Sequence, residues 1–202
     1  AVARACYRAA MSEALKLPPV TTVEEFLAWN APAGTRWELV DGELRAMAPA
    51  RRAHASIQSR LNTIIANHLD ARRPECEVLA NPGVIPRVRA RDNFRIPDLG
   101  VTCRAAEPDE HAVQGLILVV EVLSPSNTAD TWTNVWTYCT IPSIREILLI
   151  ETDTVAAHLI RRDPDGAWPH DPARIEDGED VALDSIGMTF PLRALYAGVR
   201  LG

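Results

Sequence analysis

Hydrophobic positions recur along the chain with two different periods, and the changes of period mark out its elements. Between residues 52 and 71, Ile57, Leu61, Ile64, Ile65 and Leu69 return at intervals of three and four, which puts them on one face of a helix running from about Arg52 to Ala71. Ahead of it, Trp37 to Val40 and Glu43 to Met47 flank Asp41-Gly42, a dipeptide whose tolerance of positive φ predicts a tight hairpin turn. Thr22-Val23-Glu24-Glu25 has capping-box spacing before Phe26, Leu27 and Trp29, so a short helix is expected there, closed by Asn30-Ala31-Pro32. Beyond the long helix the pattern becomes that of strands. Cys76 to Thr102 reads as strands broken at Asn81-Pro82-Gly83 and Arg91-Asp92-Asn93, while Leu116 to Leu123 and Ile147 to Ile150 are continuous apolar runs of buried-strand length.

Between those two runs, Ser124-Pro125-Ser126-Asn127 ends a strand abruptly, and a helix follows from Asp130, carrying Trp132, Val135, Trp136 and Cys139, with the two Trp residues expected in the core. Val155 to Arg161 with the turn at Asp163 to Gly166 predicts a closing hairpin, and the stretch from Asp177 to Leu195 an edge strand and a short last helix. Helix, hairpin, long helix, several strands, helix and strand in that order predict an α/β (α+β) fold with a mixed central β-sheet flanked by helices.

Composition narrows the classes. At 202 residues and 47% hydrophobic, the chain is long enough for one complete core and too short for two ordinary domains. One domain is expected over residues 21–202, preceded by a disordered leader over 1–20 whose Ala/Arg-rich opening lacks the apolar stretch of a signal peptide. The longest apolar run is broken by Glu121, so no membrane partner is expected. Cys6, Cys76, Cys103 and Cys139 are dispersed without a CxxC spacing, which suggests neither a zinc site nor a disulfide framework and predicts a reducing, cytoplasmic setting. A net charge of −6 argues against a broad, non-specific nucleic-acid surface but leaves room for a local basic patch.

The candidate chemistry lies where charge interrupts apolar strands. An ionised carboxylate inside Leu116-Ile117-Leu118-Val119-Val120-Glu121-Val122-Leu123 is expensive to bury unless it is paired or binds a cation. A second acid, Asp98, follows Ile96-Pro97 and precedes Leu99. If the two strands are neighbours, Asp98 and Glu121 stand together, and a divalent ion is what most easily holds both ionised. Carboxylate and water oxygens suit Mg²⁺ or Mn²⁺, which can bind a phosphoryl oxygen and lower the pKa of water, as phosphodiester hydrolysis requires. Arg87, Arg89 and Arg91 alternate with Val88 and Ala90, so in an extended segment they form a one-sided cationic stripe able to contact DNA phosphates. Glu43 is a candidate third acid, with Glu38 behind it; His54 and Gln58 open the long helix, and Ser124 can hydrogen-bond a carboxylate or a phosphate.

Trp37-Glu38-Leu39-Val40-Asp41-Gly42-Glu43-Leu44, the Pro97-Asp98 pair, Val120-Glu121-Val122-Leu123-Ser124-Pro125-Ser126 and the helix ending at Tyr138 together resemble the Uma2 (DUF820) family of restriction-endonuclease-like proteins, within the PD-(D/E)xK nuclease superfamily. The resemblance runs from about Thr22 to Leu201. It implies the restriction-endonuclease-like fold, makes Asp98 and Glu121 the metal-binding acids, and matches His54 to a polar helix-start position. It also exposes a departure. The family tends to carry a lysine four residues after an Asp and four before a Tyr in the helix that follows the second acid; between Asp130 and Tyr138 that slot holds Asn134, and Lys16 is the chain's single lysine. An amide can orient a water but supplies no charge; an arginine such as Arg145 or Arg95 could substitute electrostatically but is a poor proton donor or acceptor, so Asn134→Lys is expected to raise metal-dependent cleavage about a hundredfold. The resemblance thus implies a Mg²⁺-dependent (or Mn²⁺-dependent) DNA endonuclease with catalytic Asp98, Glu121 and Asn134, DNA as partner and a homodimer as an open possibility. The alternative is a catalytically impaired, nuclease-derived module that binds nucleic acid or protein.

Overall fold

A computed structural model describes residues 17–107, 109–124 and 128–201. The order of elements is α1 (Val23–Ala28), β1 (Trp37–Val40), β2 (Glu43–Ala46), α2 (Arg52–Arg72), β3 (Glu77–Ala80), β4 (Leu99–Thr102), β5 (Leu116–Leu123), α3 (Thr128–Tyr138), β6 (Glu146–Glu151), β7 (Ala156–Arg161), β8 (Ala173–Glu176), β9 (Asp180–Leu183), β10 (Met188–Pro191) and a closing 3₁₀ turn (Leu192–Tyr196). Six strands form one mixed sheet in the order β3-β4-β5-β6-β7-β8, in which β5 and β6 are parallel and the other neighbours antiparallel. The parallel pair needs a crossover, and α3 supplies it.

Each face of the sheet buries one core. Val101, Leu118, Val120 and Leu148 point to the side covered by α2, where they meet Ile57, Leu61, Ile65 and Leu69, and the β9–β10 hairpin with the 3₁₀ turn completes that layer. Val119, Leu123, Ile147 and Leu149 point the other way, against Val135 and Tyr138 of α3. Glu121 falls in register with the second set, because side chains alternate along a strand. A smaller cluster of Val20, Val23, Leu39 and Phe94 fastens α1 and the β1–β2 hairpin to the sheet, aided by the Leu39–Phe94 bridge.

Local chemistry sets the expected boundaries. Thr22 closes a complete capping box with Glu25. Asp41 and Gly42 have φ of 53° and 84°, which is what a two-residue hairpin turn demands. Gly83 is required for a different reason: a Cβ there would lie 2.2 Å from Phe94 and 2.3 Å from the His111 carbonyl oxygen.

Several expectations are corrected. The proposed leader lies outside the described residues up to residue 16, but Val20 is buried and belongs to the third cluster. Arg87 to Asp92 is a series of turns, with Arg89 at φ 47°, so Arg87, Arg89 and Arg91 do not form a one-sided extended stripe. Trp136 is 48% exposed rather than in the core, whereas Trp132 is partly buried and packs against the second cluster, edge-on to His158 at 5.8 Å. The segment after Asp177 makes a hairpin of its own rather than a single edge strand. Cys76 and Cys103 are joined by a disulfide, since the pairing of Glu77 with Thr102 puts these flanking residues opposite each other. Cysteine spacing therefore no longer argues for a reducing compartment. No described helix is long and apolar enough to cross a membrane.

Candidate active site

The β4–β5 register, Leu99 against Val120, places the preceding Asp98 beside Glu121. Both side chains are buried, at 9% and 8% exposure. Asp98 is fixed from three sides. Its Oδ2 accepts from the Val122 amide at 2.7 Å and lies 3.1 Å from His54 Nε2, while Gln58 Nε2 donates to its backbone oxygen at 2.8 Å. His54 and Gln58 are one turn apart at the start of α2, so a single helix terminus orients this acid. No hydrogen bond is made by Asp98 Oδ1 among the described residues.

Glu121 is held by Tyr138, whose hydroxyl donates to Oε1 at 2.8 Å. Burial, reinforced by the Asp98 charge beside it, pushes the Glu121 carboxyl well above the usual carboxylate range, against the Tyr138 hydroxyl that favours the anion. Burial and the neighbouring Glu121 charge likewise push the Tyr138 hydroxyl upward, so it remains a donor.

Glu38 is the third acid of this cleft. It accepts from the Ile96 amide at 2.7 Å, and burial raises its carboxyl despite that bond and the charges of Arg95 and Arg45. Glu43, the stronger candidate from sequence, is exposed. It pairs with Val40 two register steps nearer the turn, about 7 Å along the strand from the Glu38–Arg45 pair. The hairpin therefore presents Glu38, and the earlier preference between the two is reversed.

These groups form the floor of a cleft of about 470 Å³. Asn134 lines it from α3 and Ser124 from the end of β5, as their candidacy required. Arg36, Arg45 and Arg51 line it as well, though nothing in their spacing singled them out, because they come from three separate stretches around the first hairpin. Arg87, Arg89 and Arg91 do not line it; Arg89 is instead tied to Asp41 and Asp92. Arg145 is exposed beside Ile117, at the opposite end of β5 from Glu121, whereas Arg95 lies in the cleft.

The donor set suits a hard cation. It offers two adjacent carboxylates, and no three of Glu38, His54, Asp98 and Glu121 bring ligand atoms within 4.8 Å of one another. That is too few ligands for an all-protein cage and the usual number for Mg²⁺ or Mn²⁺, which keep waters and take substrate oxygens. The one such triple among the described residues, Glu75 with Cys76 and Cys103, has its sulfurs in the disulfide and offers no thiolate.

Comparison with known proteins agrees with this architecture. A comparison with curated proteins returned no match. A crystal structure described as a putative nuclease belonging to DUF820, from Anabaena variabilis, superposes with a TM-score of 0.72 at 16% identity, covering 89% of this chain and 99% of that one. At that identity the likeness shows the fold, with its mixed sheet between helices. The model of the Uma2 family, described as "Putative restriction endonuclease", matches residues 23–193, from the first turn of α1 into the closing 3₁₀ turn. With the match spanning most of the sequence, and both acids and their helix inside it, the chain belongs to the Uma2 family.

Proposed function

We propose that this protein is a metal-dependent DNA endonuclease that hydrolyses phosphodiester bonds, with Asp98 and Glu121 holding Mg²⁺ or Mn²⁺. The observation that carries the reading is the placement of two buried carboxylates side by side at the floor of an open cleft, at the expense of raising one of them well above its ordinary range. A divalent ion, when bound, supplies Lewis acidity and lowers the pKa of water. The protein's own part is positional. The Val122 amide and His54 fix Asp98, Tyr138 fixes Glu121, and Glu38 stands close enough to accept a proton or orient a water at the cleft wall.

Nucleic acid as substrate is supported by the rim. Arg36, Arg45 and Arg51 surround the acidic floor, and the amino-terminal end of the 21-residue helix α2 opens onto the same cleft. Positive groups above an acidic floor suit a ligand that meets the rim with phosphates and the floor through a cation.

Two measurements test this. Calorimetry with Mn²⁺ should show binding to the wild type and its loss in Asp98→Ala, together with loss of plasmid nicking; equal binding by both proteins removes Asp98 from the site. Replacing Arg36, Arg45 and Arg51 by glutamine should weaken DNA binding in Ca²⁺ and flatten its logarithmic salt dependence by about three units. The same change at Arg87, Arg89 and Arg91 should flatten it less, since Arg89 is already ion-paired. The reverse ranking would return the phosphate path to the turn segment.

The second reading, a module that binds without turnover, draws on Asn134, which carries no charge in a slot where the family tends to have lysine. Mn²⁺ binding and DNA binding without detectable cleavage would favour it.

A further inference from the structure

Arg95 is the only arginine buried among the described residues, at 3% exposure, and it is buried inside the acidic cleft. Burying a guanidinium is costly unless its donors and its charge are answered, and here they are answered only in part. Nη2 donates to Asn93 Oδ1 at 2.9 Å and Nη1 donates to Asn134 Oδ1 at 3.0 Å, while the charge acts on Glu38. Asn93 is anchored in turn, its Oδ1 accepting from the Asp41 amide and its Nδ2 donating to Asp41 Oδ1. Nε is buried without a hydrogen-bond partner.

Each acceptor is a neutral amide rather than a carboxylate. The guanidinium is held in place but not neutralised by direct pairing, and it keeps unspent donors. Asn134 therefore does something other than imitate an ammonium: it turns its carbonyl oxygen to a cation that arrives from the strand side of the cleft. A lysine at the same position would carry its charge into the space that the guanidinium occupies.

We propose that Arg95 is the fixed cation of this site, presented to the scissile phosphate in place of a lysine from α3, and that Asn134 is the positioning residue that accepts its Nη1. The proposal rests on the endonuclease reading and deepens it. It also reverses the expectation from sequence that restoring a lysine would raise turnover, because two cations would then compete for one place.

A double-variant cycle on the full chain tests it: Arg95→Gln, Asn134→Lys and the two combined, each followed by DNA cleavage in Mn²⁺, Mn²⁺ calorimetry and thermal midpoint. Arg95→Gln should lower kcat about a hundredfold, as removal of one charge-stabilising donor typically does, with KM changed by no more than a few-fold. Its affinity for Mn²⁺ should rise, because a repelling charge has left the carboxylates. An arginine with a merely structural role predicts a fall instead, as the site loosens. Asn134→Lys alone should lower both cleavage and midpoint, and the double variant should recover both. A large gain in cleavage from Asn134→Lys alone, or strict additivity of the two changes in cleavage and midpoint, overturns the proposal. Absence of Mn²⁺-dependent cleavage in the wild type would instead remove the reading of function, and the coupling in midpoint then decides whether Asn134 and Arg95 form the unit described.

Discussion

Glu121→Gln should abolish metal-dependent cleavage and, in the absence of metal, make the protein more stable at pH 8. The loss follows from the ligand set: with only two adjacent carboxylates, replacing one by an amide should cost a thousandfold or more, since Lewis-acid stabilisation of several kcal/mol is at stake and each ~1.4 kcal/mol is tenfold. The gain in stability follows from linkage. Burial and the Asp98 charge raise the Glu121 carboxyl in the folded state, whereas in the unfolded chain it ionises in the ordinary carboxylate range. Between those two values the folded protein binds a proton that the unfolded chain does not, so stability falls as pH rises through the window, and above it the full penalty is paid. Glutamine is neutral at every pH and keeps an oxygen for the Tyr138 hydroxyl. Thermal midpoints in EDTA should therefore favour Glu121→Gln at pH 8 by several degrees, at roughly 2–4 °C per kcal/mol for a chain of this size, and should converge near pH 4. Saturating Mn²⁺ should reverse the order at pH 8, because only the wild type gains the binding energy. A wild type as stable as Glu121→Gln in EDTA at pH 8 would mean that the buried acid carries no penalty, and with it would go the main physical argument for a cation.

Much of this site could be read from the chain, and the parts that could not share a cause. Asp98 and Glu121 announced themselves because a charge inside an apolar strand needs a partner, and that signal is local in sequence. The hairpin, both long helices and the mixed sheet were equally local, resting on Asp41-Gly42, the Ile57-to-Leu69 stripe and the apolar runs. What escaped depends on pairing between distant segments. Whether Glu38 or Glu43 enters the cleft is decided by how the hairpin leans on Phe94, which brings Glu38 to the Ile96 amide. Tyr138 ends its helix as expected, yet its contact with Glu121 requires α3 to cross this face of the sheet. Cys76 and Cys103 are 27 residues apart and meet only through strand register. Arg87, Arg89 and Arg91 misled for the opposite reason: alternation has meaning in a strand, and the chain there turns, with Arg89 in the left-handed region. The arginines that line the cleft beside Arg95, namely Arg36, Arg45 and Arg51, have no common period to notice.

Glu146→Ala should destabilise the scaffold strongly, although Glu146 lies outside the cleft. It begins β6 and is 1% exposed, a position that would suit an aliphatic residue, but its carboxylate gathers three donors, one from neighbouring β7 and two from the turn of the β9–β10 hairpin. Oε1 accepts from Arg161 Nε at 2.6 Å and from the Asp184 amide at 3.1 Å, and Oε2 accepts from the Ser185 amide at 2.8 Å. Arg161 then reaches the Ala182 carbonyl, so one ion pair ties the main sheet to the β9–β10 hairpin and to the turn that packs beneath α2. Alanine would strand two amides, one of them fully buried, at about 1–3 kcal/mol each for lost acceptors. Arg161 is 40% exposed and can turn to water, so its share of the loss is small. The expected cost is about 3 kcal/mol, or a fall of roughly 6–12 °C in Tm. Glu146→Gln retains an acceptor for one side of the cluster and should lose about half as much. Because Asp98 lies just before β4 and Glu121 near the far end of β5, while Glu146 acts at the start of β6, Mn²⁺ affinity measured well below the new Tm should match the wild type. A Glu146→Ala protein that melts normally would show that the hairpin is held by its apolar contacts alone, and that the carboxylate at its base is dispensable.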